Sequence, residues 1–166
     1  MNEPVVMMGV AGCGKSSVGA AVAASRGWTL IEGDAFHGPA NLDKMSRGVP
    51  LDDADREGWL ASLADALGRQ PGGAVLTCSA LKRRYRDRLR AAAPGLRFVF
   101  LDIDPQEALR RVAQRADHFF SASLVDNQFA TLEPPLDEAG VLQVDATRPL
   151  PQLVERIDAW LAKEGA

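Results

Sequence analysis

Several residue types are scarce in this chain, and their scarcity narrows the classes of protein to which it can belong. The 166 residues include two cysteines, Cys13 and Cys78, and two histidines, His37 and His118. Two isolated cysteines argue against a disulfide-stabilised fold and favour a reducing, cytoplasmic location. Two histidines with no cysteine or carboxylate at ligand spacing make a poor zinc site.

Long apolar runs and excess positive charge are also missing. No apolar run is long enough to cross a bilayer, and Lys15 and Ser16 interrupt the N-terminal apolar segment, which argues against a signal peptide. The net charge of −3 argues against a nucleic-acid-binding surface. Because the chain is 46% hydrophobic, we expect one domain over residues 1–166, with a substantial core and with neither membrane nor nucleic acid as a partner.

A glycine-rich stretch near the N-terminus carries the strongest functional signal. Residues Gly9–Ser16 fit the phosphate-binding pattern G-x-x-x-x-G-K-[ST]. The apolar residues Val5–Met8 before it predict a buried parallel strand, and residues 17–24 after it predict a helix. A chance match in a glycine-containing turn is the alternative, but the flanking strand and helix favour a P-loop.

The P-loop predicts which groups surround a bound nucleotide. Glycines let successive backbone N–H groups point toward phosphate oxygens, and the helix N-terminus adds partial positive charge there. Lys15 is expected to reach the β- and γ-phosphates of ATP, and the Ser16 hydroxyl to ligate Mg2+. The expected nucleotide-binding positions here are Gly9, Val10, Ala11, Gly12, Cys13, Gly14, Lys15, Ser16 and Ser17.

Strands alternate with helices along the whole chain. Short apolar runs at 5–8, 28–31, 74–78, 97–103 and 141–144 predict five strands with helical patterns between them. This alternation predicts an α/β fold of three layers, in which helices flank a five-stranded parallel sheet. Two stretches, about 36–70 and about 116–136, are predicted to be a substrate-binding helical excursion and a lid that close over a ligand.

Acidic residues follow the second predicted strand, which we expect to lie beside the first. Asp34 would then face the P-loop, and a kinase that acts on a hydroxyl needs such a carboxylate to accept the proton. Asp34 is therefore the candidate general base, the alternative being a turn cap. Glu32 either holds a water on the metal or is solvated. His37 is a candidate for binding a polyhydroxy substrate, with a structural role as the alternative.

Two groups of basic residues are candidates for binding anions. Lys82 and Arg86 open a basic helix after the third strand, where they could bind a carboxylate substrate, although a solvated face is the default for such a run. Arg111 and Arg115 share a helix face and could neutralise charge on a phosphoryl group in transfer. Ordinary surface arginines are the alternative for this pair.

These motifs together resemble the gluconokinase family of small-molecule kinases. The resemblance covers nearly the whole chain and rests on Gly9–Ser16, Glu32–His37, Asn41, Lys44–Met45, Gly48–Arg56, Trp59–Leu60, Cys78–Lys82, Tyr85–Asp87, Leu89–Arg90, His118–Phe120, Gln128–Phe129 and Thr131–Glu133. A P-loop alone is common to many unrelated proteins, but the Pro-Leu-Asp-Asp-x-Asp-Arg and Cys-Ser-Ala-Leu-Lys segments are far more specific.

The resemblance implies an adenylate-kinase-like fold and transfer of the γ-phosphoryl group of ATP to the 6-hydroxyl of D-gluconate, with Mg2+. It implies a cytoplasmic homodimer. It also implies that the helices after Asp34 close on gluconate and that Arg111 lies near the adenine. Arg111 and Arg115 would border the lid over ATP, and the loop that contains Arg148 would lie beside the adenine. His118 is expected to serve the lid and to contact the substrate, with a structural role as the alternative.

One position departs from the family pattern. Asp117 stands where the family usually has glycine before the lid histidine, which leaves the roles of His118 and Arg115 open. Two other functions are considered: a kinase for another hydroxy acid such as shikimate, and a nucleotide-binding switch that transfers no phosphoryl group. The polar groups expected at the sheet edge argue against the switch, which needs no substrate-binding cluster.

Overall fold

The computed structural model describes residues 3–70, 72–114 and 122–163 of the chain. Within these ranges five parallel strands form one sheet in the order β2-β3-β1-β4-β5. The strands are β1 (Val5–Met8), β2 (Thr29–Glu32), β3 (Ala74–Thr77), β4 (Arg97–Asp102) and β5 (Val141–Asp145). The predicted fold class is confirmed, and the strands begin and end within two residues of the predicted bounds.

Helices cover the sheet. They are α1 (Lys15–Arg26), α2 (Pro39–Ser46), α3 (Asp53–Gly68), α4 (Arg83–Ala92), α5 (Pro105–Ala113), α6 (Ala122–Thr131) and α7 (Leu150–Leu161), with a 3-10 turn at Gly33–Phe36. Helix α1 packs against α7, and α3 packs against α4. The connection from β1 to β2 runs toward one edge of the sheet, whereas the connections from β2 to β3 and from β3 to β4 run toward the other edge. Because such crossovers are right-handed, α1 lies on the face of the sheet opposite α3 and α4.

The central strand explains why the apolar runs are continuous rather than alternating. All four residues of β1 have no exposed surface, because β3 and β4 hydrogen-bond to its edges and helices cover both its faces. The P-loop leaves the carboxyl end of this strand. A phosphate-binding backbone is thereby held on the most buried element of the fold.

The neighbour of β2 differs from the one expected from the sequence. We expected β2 beside β1, but β3 lies between them, so the simple adjacency argument for Asp34 was wrong. The close packing of β2 against β3 compensates for the intervening strand. A Cβ atom on Gly33 would lie 2.1 Å from the carbonyl oxygen of Thr77, so only glycine lets the end of β2 pack this tightly on the end of β3.

The predicted excursion and lid are described to different extents. The 3-10 turn, α2 and α3 lie within 36–70 or adjoin it. Helix α6 lies within 116–136, while residues 115–121 lie outside the described part of the chain. The division into core, excursion and lid stays a prediction. Among the described helices, none is both long and apolar enough to cross a membrane.

A buried ion-pair cluster holds the segment after α6 against α4. The Arg86 guanidinium has no exposed surface and donates from Nε to Glu138 at 3.0 Å, and to the carbonyl oxygens of Ala80 and Glu133 at 2.7 and 2.8 Å. Arg90 also pairs with Glu138. The expectation that Arg86 binds a carboxylate substrate was therefore wrong, because its donors are enclosed and engaged by the protein itself.

We expect Glu138→Ala to lower the free energy of unfolding by about 3–5 kcal/mol, because the substitution leaves the Arg86 guanidinium buried without its counter-ion. Urea denaturation at pH 7 measures this change. Glu57→Ala is the matched control, since Glu57 pairs with Arg88 at 2.6 Å on the surface. The control should lose less than about 1 kcal/mol. Equal losses in the two variants would contradict a structural role for the buried cluster.

The same pair predicts a pH dependence of stability. Burial raises the pKa of Glu138, but the hydrogen bonds from Arg86 and Arg90 outweigh burial and leave the pKa below its usual value. A carboxyl group whose pKa is depressed in the folded state stabilises the fold above its unfolded pKa of about 4.3, and this contribution is lost as the pH falls further. The acid-induced loss of stability should therefore be shallower in Glu138→Ala than in the unaltered chain.

Candidate active site

The P-loop forms the first wall of a cavity at the carboxyl edge of the sheet. Gly12 has a φ of +85°, and a Cβ atom there would lie 2.8 Å from the carbonyl oxygen of Ala108 in α5. Glycine is needed at this position both for the backbone conformation and for the close approach of α5. The side chains of Val10, Ala11 and Cys13 are buried, so a ligand meets this loop through its backbone.

Lys15 begins α1 and carries a positive charge that no carboxylate neutralises within the described ranges. Its Nζ atom donates to the carbonyl oxygens of Gly9 and Val10 at 3.0 and 3.1 Å. These acceptors are neutral, so a phosphate oxygen is the stronger partner for the ammonium group. Ser17, the last of the predicted nucleotide-binding positions, is exposed on the first turn of α1.

An oxygen-rich group lies beside Lys15. The Ser16 hydroxyl donates to Oε2 of Glu32 at 3.0 Å, and the Thr77 hydroxyl donates to the same atom at 2.8 Å. A hydroxyl and a carboxylate at this spacing suit Mg2+, which prefers oxygen ligands and takes one or two carboxylates together with substrate phosphates. Glu32 was expected either to hold a water on the metal or to be solvated. Its position next to Ser16 fits the first role.

Asp34 faces the P-loop across the cavity. It lines the same cavity as Lys15 and Ser16, and its side chain is 85% exposed. The 3-10 turn Gly33–Phe36 sets this position, and the Trp59 indole N–H donates to the Gly33 carbonyl oxygen at 2.8 Å. The structure therefore brings the predicted base and the predicted phosphate loop to one cavity.

His37 lies next to Asp34, and its surroundings favour the neutral imidazole. Its ring stacks on Trp59 at 4.4 Å between centroids, and burial lowers its pKa below 6.5 despite the nearby Asp34 carboxylate. The Asn41 amide nitrogen donates to the carbonyl oxygen of Asp55 and therefore also donates to Nδ1 of His37. The imidazole proton is thus on Nε2, which lies 4.0 Å from Oδ1 of Asp34.

Arg56 was not among the predicted site residues, yet it lines this cavity. Its side chain lies at the buried face of α3, where Nη1 donates to the Tyr85 hydroxyl at 3.2 Å and the guanidinium lies over the Tyr85 ring. No carboxylate in the described part of the chain pairs with it. The signal in the sequence was its place at the end of the Asp-Asp-Ala-Asp-Arg segment, just before the buried Trp59.

Lys82 was predicted to bind substrate and instead pairs with a carboxylate of the protein. Its Nζ atom lies 3.1 Å from Oδ1 of Asp53, which also accepts from Tyr85 and pairs with Arg84. Lys82 is not among the residues that line the cavity. Asp53, at the start of α3, holds Lys82 outside the group of residues that line the cavity, so the structure does not bring Lys82 together with the other predicted site residues.

Arg111 lies at the far side of the P-loop. Its guanidinium donates to the carbonyl oxygens of Gly12 and Ala146, each at 3.2 Å, and to Glu107 at 3.1 Å. Hydrogen bonds from Arg110 and Arg111 lower the pKa of Glu107 to about 2, so this carboxylate stays charged. Arg111 therefore connects the phosphate loop to the loop after β5, where Arg148 is exposed 3.9 Å from Asp145. Arg115, Asp117 and His118 lie outside the described residues.

Helix α6 supplies the remaining wall through Leu124, Asn127 and Gln128. Oε1 of Gln128 accepts from the backbone N–H of Ala11 at 2.6 Å. Gln128 was quoted for the family resemblance but was not assigned to the site. The available signal was a polar residue four positions after Leu124, on the apolar stripe of the helix.

Comparisons with known proteins agree with this architecture. A family model described as an AAA domain matches residues 5–135. The chain is 48% identical to a gluconokinase of Gluconobacter oxydans over 147 residues, covering 87% of this chain and 83% of the relative. It is 39% identical to the thermosensitive gluconokinase of Escherichia coli over 159 residues, covering 93% and 85%.

A solved structure extends the likeness to the fold. The crystal structure of a gluconokinase from Sinorhizobium meliloti superimposes with a TM-score of 0.90 at 46% identity, covering 97% of this chain and 92% of the other. Sequence identity at this level over most of both chains, together with the P-loop and the shared fold, establishes common descent. The chain belongs to the gluconokinase family of P-loop kinases.

Proposed function

We propose that this chain transfers the γ-phosphoryl group of ATP to the 6-hydroxyl of D-gluconate and forms 6-phospho-D-gluconate. One observation carries the proposal: a single cavity is lined by Lys15 and Ser16 of the P-loop and, opposite them, by Asp34, His37 and Arg56. This arrangement offers cations for the phosphates, a carboxylate for the hydroxyl proton and a guanidinium for a substrate carboxylate. The gluconokinases that match most of this chain support the same reaction.

On the nucleotide side, the protein contributes mainly charge and position. Backbone N–H groups of the P-loop bind the phosphates, and Lys15 moves from its carbonyl partners to the β- and γ-phosphates. Arg111 adds positive charge next to Gly12, and Arg115 is proposed to do so from the segment that follows. The loop with Arg148 is proposed to lie beside the adenine.

The oxygen atoms of Ser16 and Glu32 would hold Mg2+, Ser16 directly and Glu32 directly or through a water molecule. When bound, the ion neutralises phosphate charge and orients the triphosphate. Thr77 keeps the Glu32 carboxylate in place through its own hydrogen bond.

On the acceptor side, Asp34 takes the proton of the 6-hydroxyl as that oxygen attacks the γ-phosphorus. The neutral His37 presents its Nε2–H toward the same side and can donate to a hydroxyl of the polyol chain. Arg56 is proposed to bind the carboxylate of gluconate, since a planar guanidinium can donate two parallel hydrogen bonds to it. His118 is proposed to contact the substrate when the lid closes.

The family also supports an assembly and a location. We propose that the chain works as a homodimer in the cytoplasm. Light scattering coupled to size-exclusion chromatography would give the mass of the particle in solution.

A coupled assay of ADP formation tests the reaction itself. ADP should form only when gluconate, ATP and Mg2+ are all present, and mass spectrometry should find one added phosphoryl group on gluconate. Shikimate at the same concentration serves as a second hydroxy acid. Binding of ATP without gluconate-dependent ADP formation would support the switch and contradict the kinase.

Asp34→Ala should lower kcat by a factor of at least about 100, because the attacking hydroxyl loses its proton acceptor. The affinity for ATP should stay nearly unchanged, as calorimetry can show. Asp43→Ala is the control, since Asp43 is an exposed carboxylate of α2 that pairs with Arg47. Unchanged turnover in Asp34→Ala would remove this residue from the mechanism.

Arg56→Lys should raise the KM for gluconate by about 10-fold or more and leave the KM for ATP within about twofold. Lysine keeps the positive charge but cannot form the two parallel hydrogen bonds of a guanidinium. Arg47→Lys makes the same change on the exposed end of α2 and should have no effect. A rise in the KM for ATP alone would mean that Arg56 binds phosphate rather than the substrate carboxylate.

A further inference from the structure

Gln128 is a buried amide whose two ends face different partners. Its side chain projects from α6 into the cavity that contains Asp34 and Arg56, and the residue is only 9% exposed. Its Oε1 atom accepts the Ala11 N–H at 2.6 Å. Ala11 is the third residue of the P-loop, so this hydrogen bond connects α6 directly to the phosphate-binding backbone.

The bond to Ala11 fixes which way the amide points. A backbone N–H can only donate, so the Gln128 atom that it contacts must be the oxygen, and the NH2 group must be the other end. Among the residues described by the structure, Nε2 of Gln128 has no hydrogen-bond partner. Nε2 is also not one of the fully enclosed atoms that lack a partner, and Gln128 is one of the residues that line the cavity.

The unpaired NH2 group needs an acceptor whose chemistry fits its surroundings. Lys15 and Arg111 already supply cations for the phosphates, and Arg56 supplies one for a carboxylate. A neutral donor in the same cavity as Lys15 and Arg56 is suited to a hydroxyl oxygen of the polyol chain. A site that hydrogen-bonds a hydroxyl discriminates strongly against an analogue without it, because the donor is then left unpaired.

We propose that Gln128 determines specificity for the acceptor by donating from Nε2 to one hydroxyl of the bound sugar acid. Its Oε1 atom meanwhile stays on the Ala11 N–H, so the same side chain sets the distance between the polyol chain and the P-loop. This inference rests on the proposed function, and it concerns one hydroxyl rather than the reaction as a whole. Gln128 therefore links acceptor recognition to the position of the phosphate-binding loop.

The test pairs substitutions at Gln128 with gluconate analogues that each lack the hydroxyl at carbon 2, 3, 4 or 5. Gln128→Met removes both hydrogen bonds, whereas Gln128→Glu keeps an acceptor for Ala11 and removes the donor. Asp126→Asn is the control, since Asp126 is exposed on the same helix. Thermal unfolding verifies that each variant is folded. If Gln128→Met is not folded, Gln128→Glu alone is used for the test.

We expect both Gln128 variants to lose about 10-fold to 100-fold in kcat/KM with gluconate. The unaltered chain should show a loss of the same size with one of the four deoxy analogues. With that analogue, and no other, each substitution should cost at least about threefold less than it costs with gluconate, because the donor and the acceptor of the proposed hydrogen bond are then both already absent. The Kd for ATP without gluconate should stay within about twofold for Gln128→Met.

Other outcomes overturn the inference. An equal loss with gluconate and with all four analogues would mean that Gln128 only supports the cavity wall. A loss of ATP affinity with unchanged gluconate kinetics would mean that Nε2 binds a phosphate oxygen. If the unaltered chain phosphorylates gluconate and neither variant is impaired, only the role of Gln128 is wrong. If the unaltered chain does not phosphorylate gluconate, the proposed function fails and the inference fails with it.

Discussion

The cavity depends on how closely the end of β2 approaches the end of β3. Gly33 lies directly against the Thr77 carbonyl oxygen, in a space that would not admit a Cβ atom. The Gly33 N–H also donates to the Thr77 hydroxyl at 3.2 Å, and Trp59 donates to the Gly33 carbonyl oxygen. These contacts set the 3-10 turn that carries Asp34. The strand that separates β2 from β1 therefore does not separate Asp34 from the P-loop.

Two buried arginines, Arg86 and Arg56, differ in the partners that the protein gives them. Each nitrogen of the Arg86 guanidinium donates to an acceptor of the protein, including the charged Glu138. Arg56 is almost as buried, but its contact is the neutral Tyr85, and within the described residues no carboxylate pairs with it. A buried charge without a counter-ion is costly, so its retention beside a cavity points to an anionic ligand.

The sequence was informative where a local pattern determines the structure. The continuous apolar run of β1 and the P-loop after it were predicted residue by residue, because burial on both faces and phosphate binding each require a short, specific pattern. The order of the strands could not be predicted in this way. It depends on which strands hydrogen-bond to each other across the fold, and β3 comes between two strands that are neighbours in the sequence.

The roles of the basic residues were equally hard to predict. Lys82 and Arg86 follow a strand end, as a substrate-binding residue would, but their partners Asp53 and Glu138 lie 29 and 52 residues away. The local sequence pattern does not predict these ion pairs. Arg56 and Gln128 were overlooked for the same reason, since their exposure to a cavity appears only when α3 and α6 are placed around the sheet.

The tautomer and the charge of His37 determine what this side chain can offer to a ligand in the pocket. Asn41 fixes the imidazole proton on Nε2, and burial against Trp59 disfavours the imidazolium form. The ring therefore favours the neutral form, which offers one donor from Nε2 and adds no positive charge of its own. In the proposed function, the positive charge that binds an anionic acceptor then comes from Arg56 and not from this imidazole, so the donor that His37 offers and the charge that Arg56 offers are supplied by separate groups.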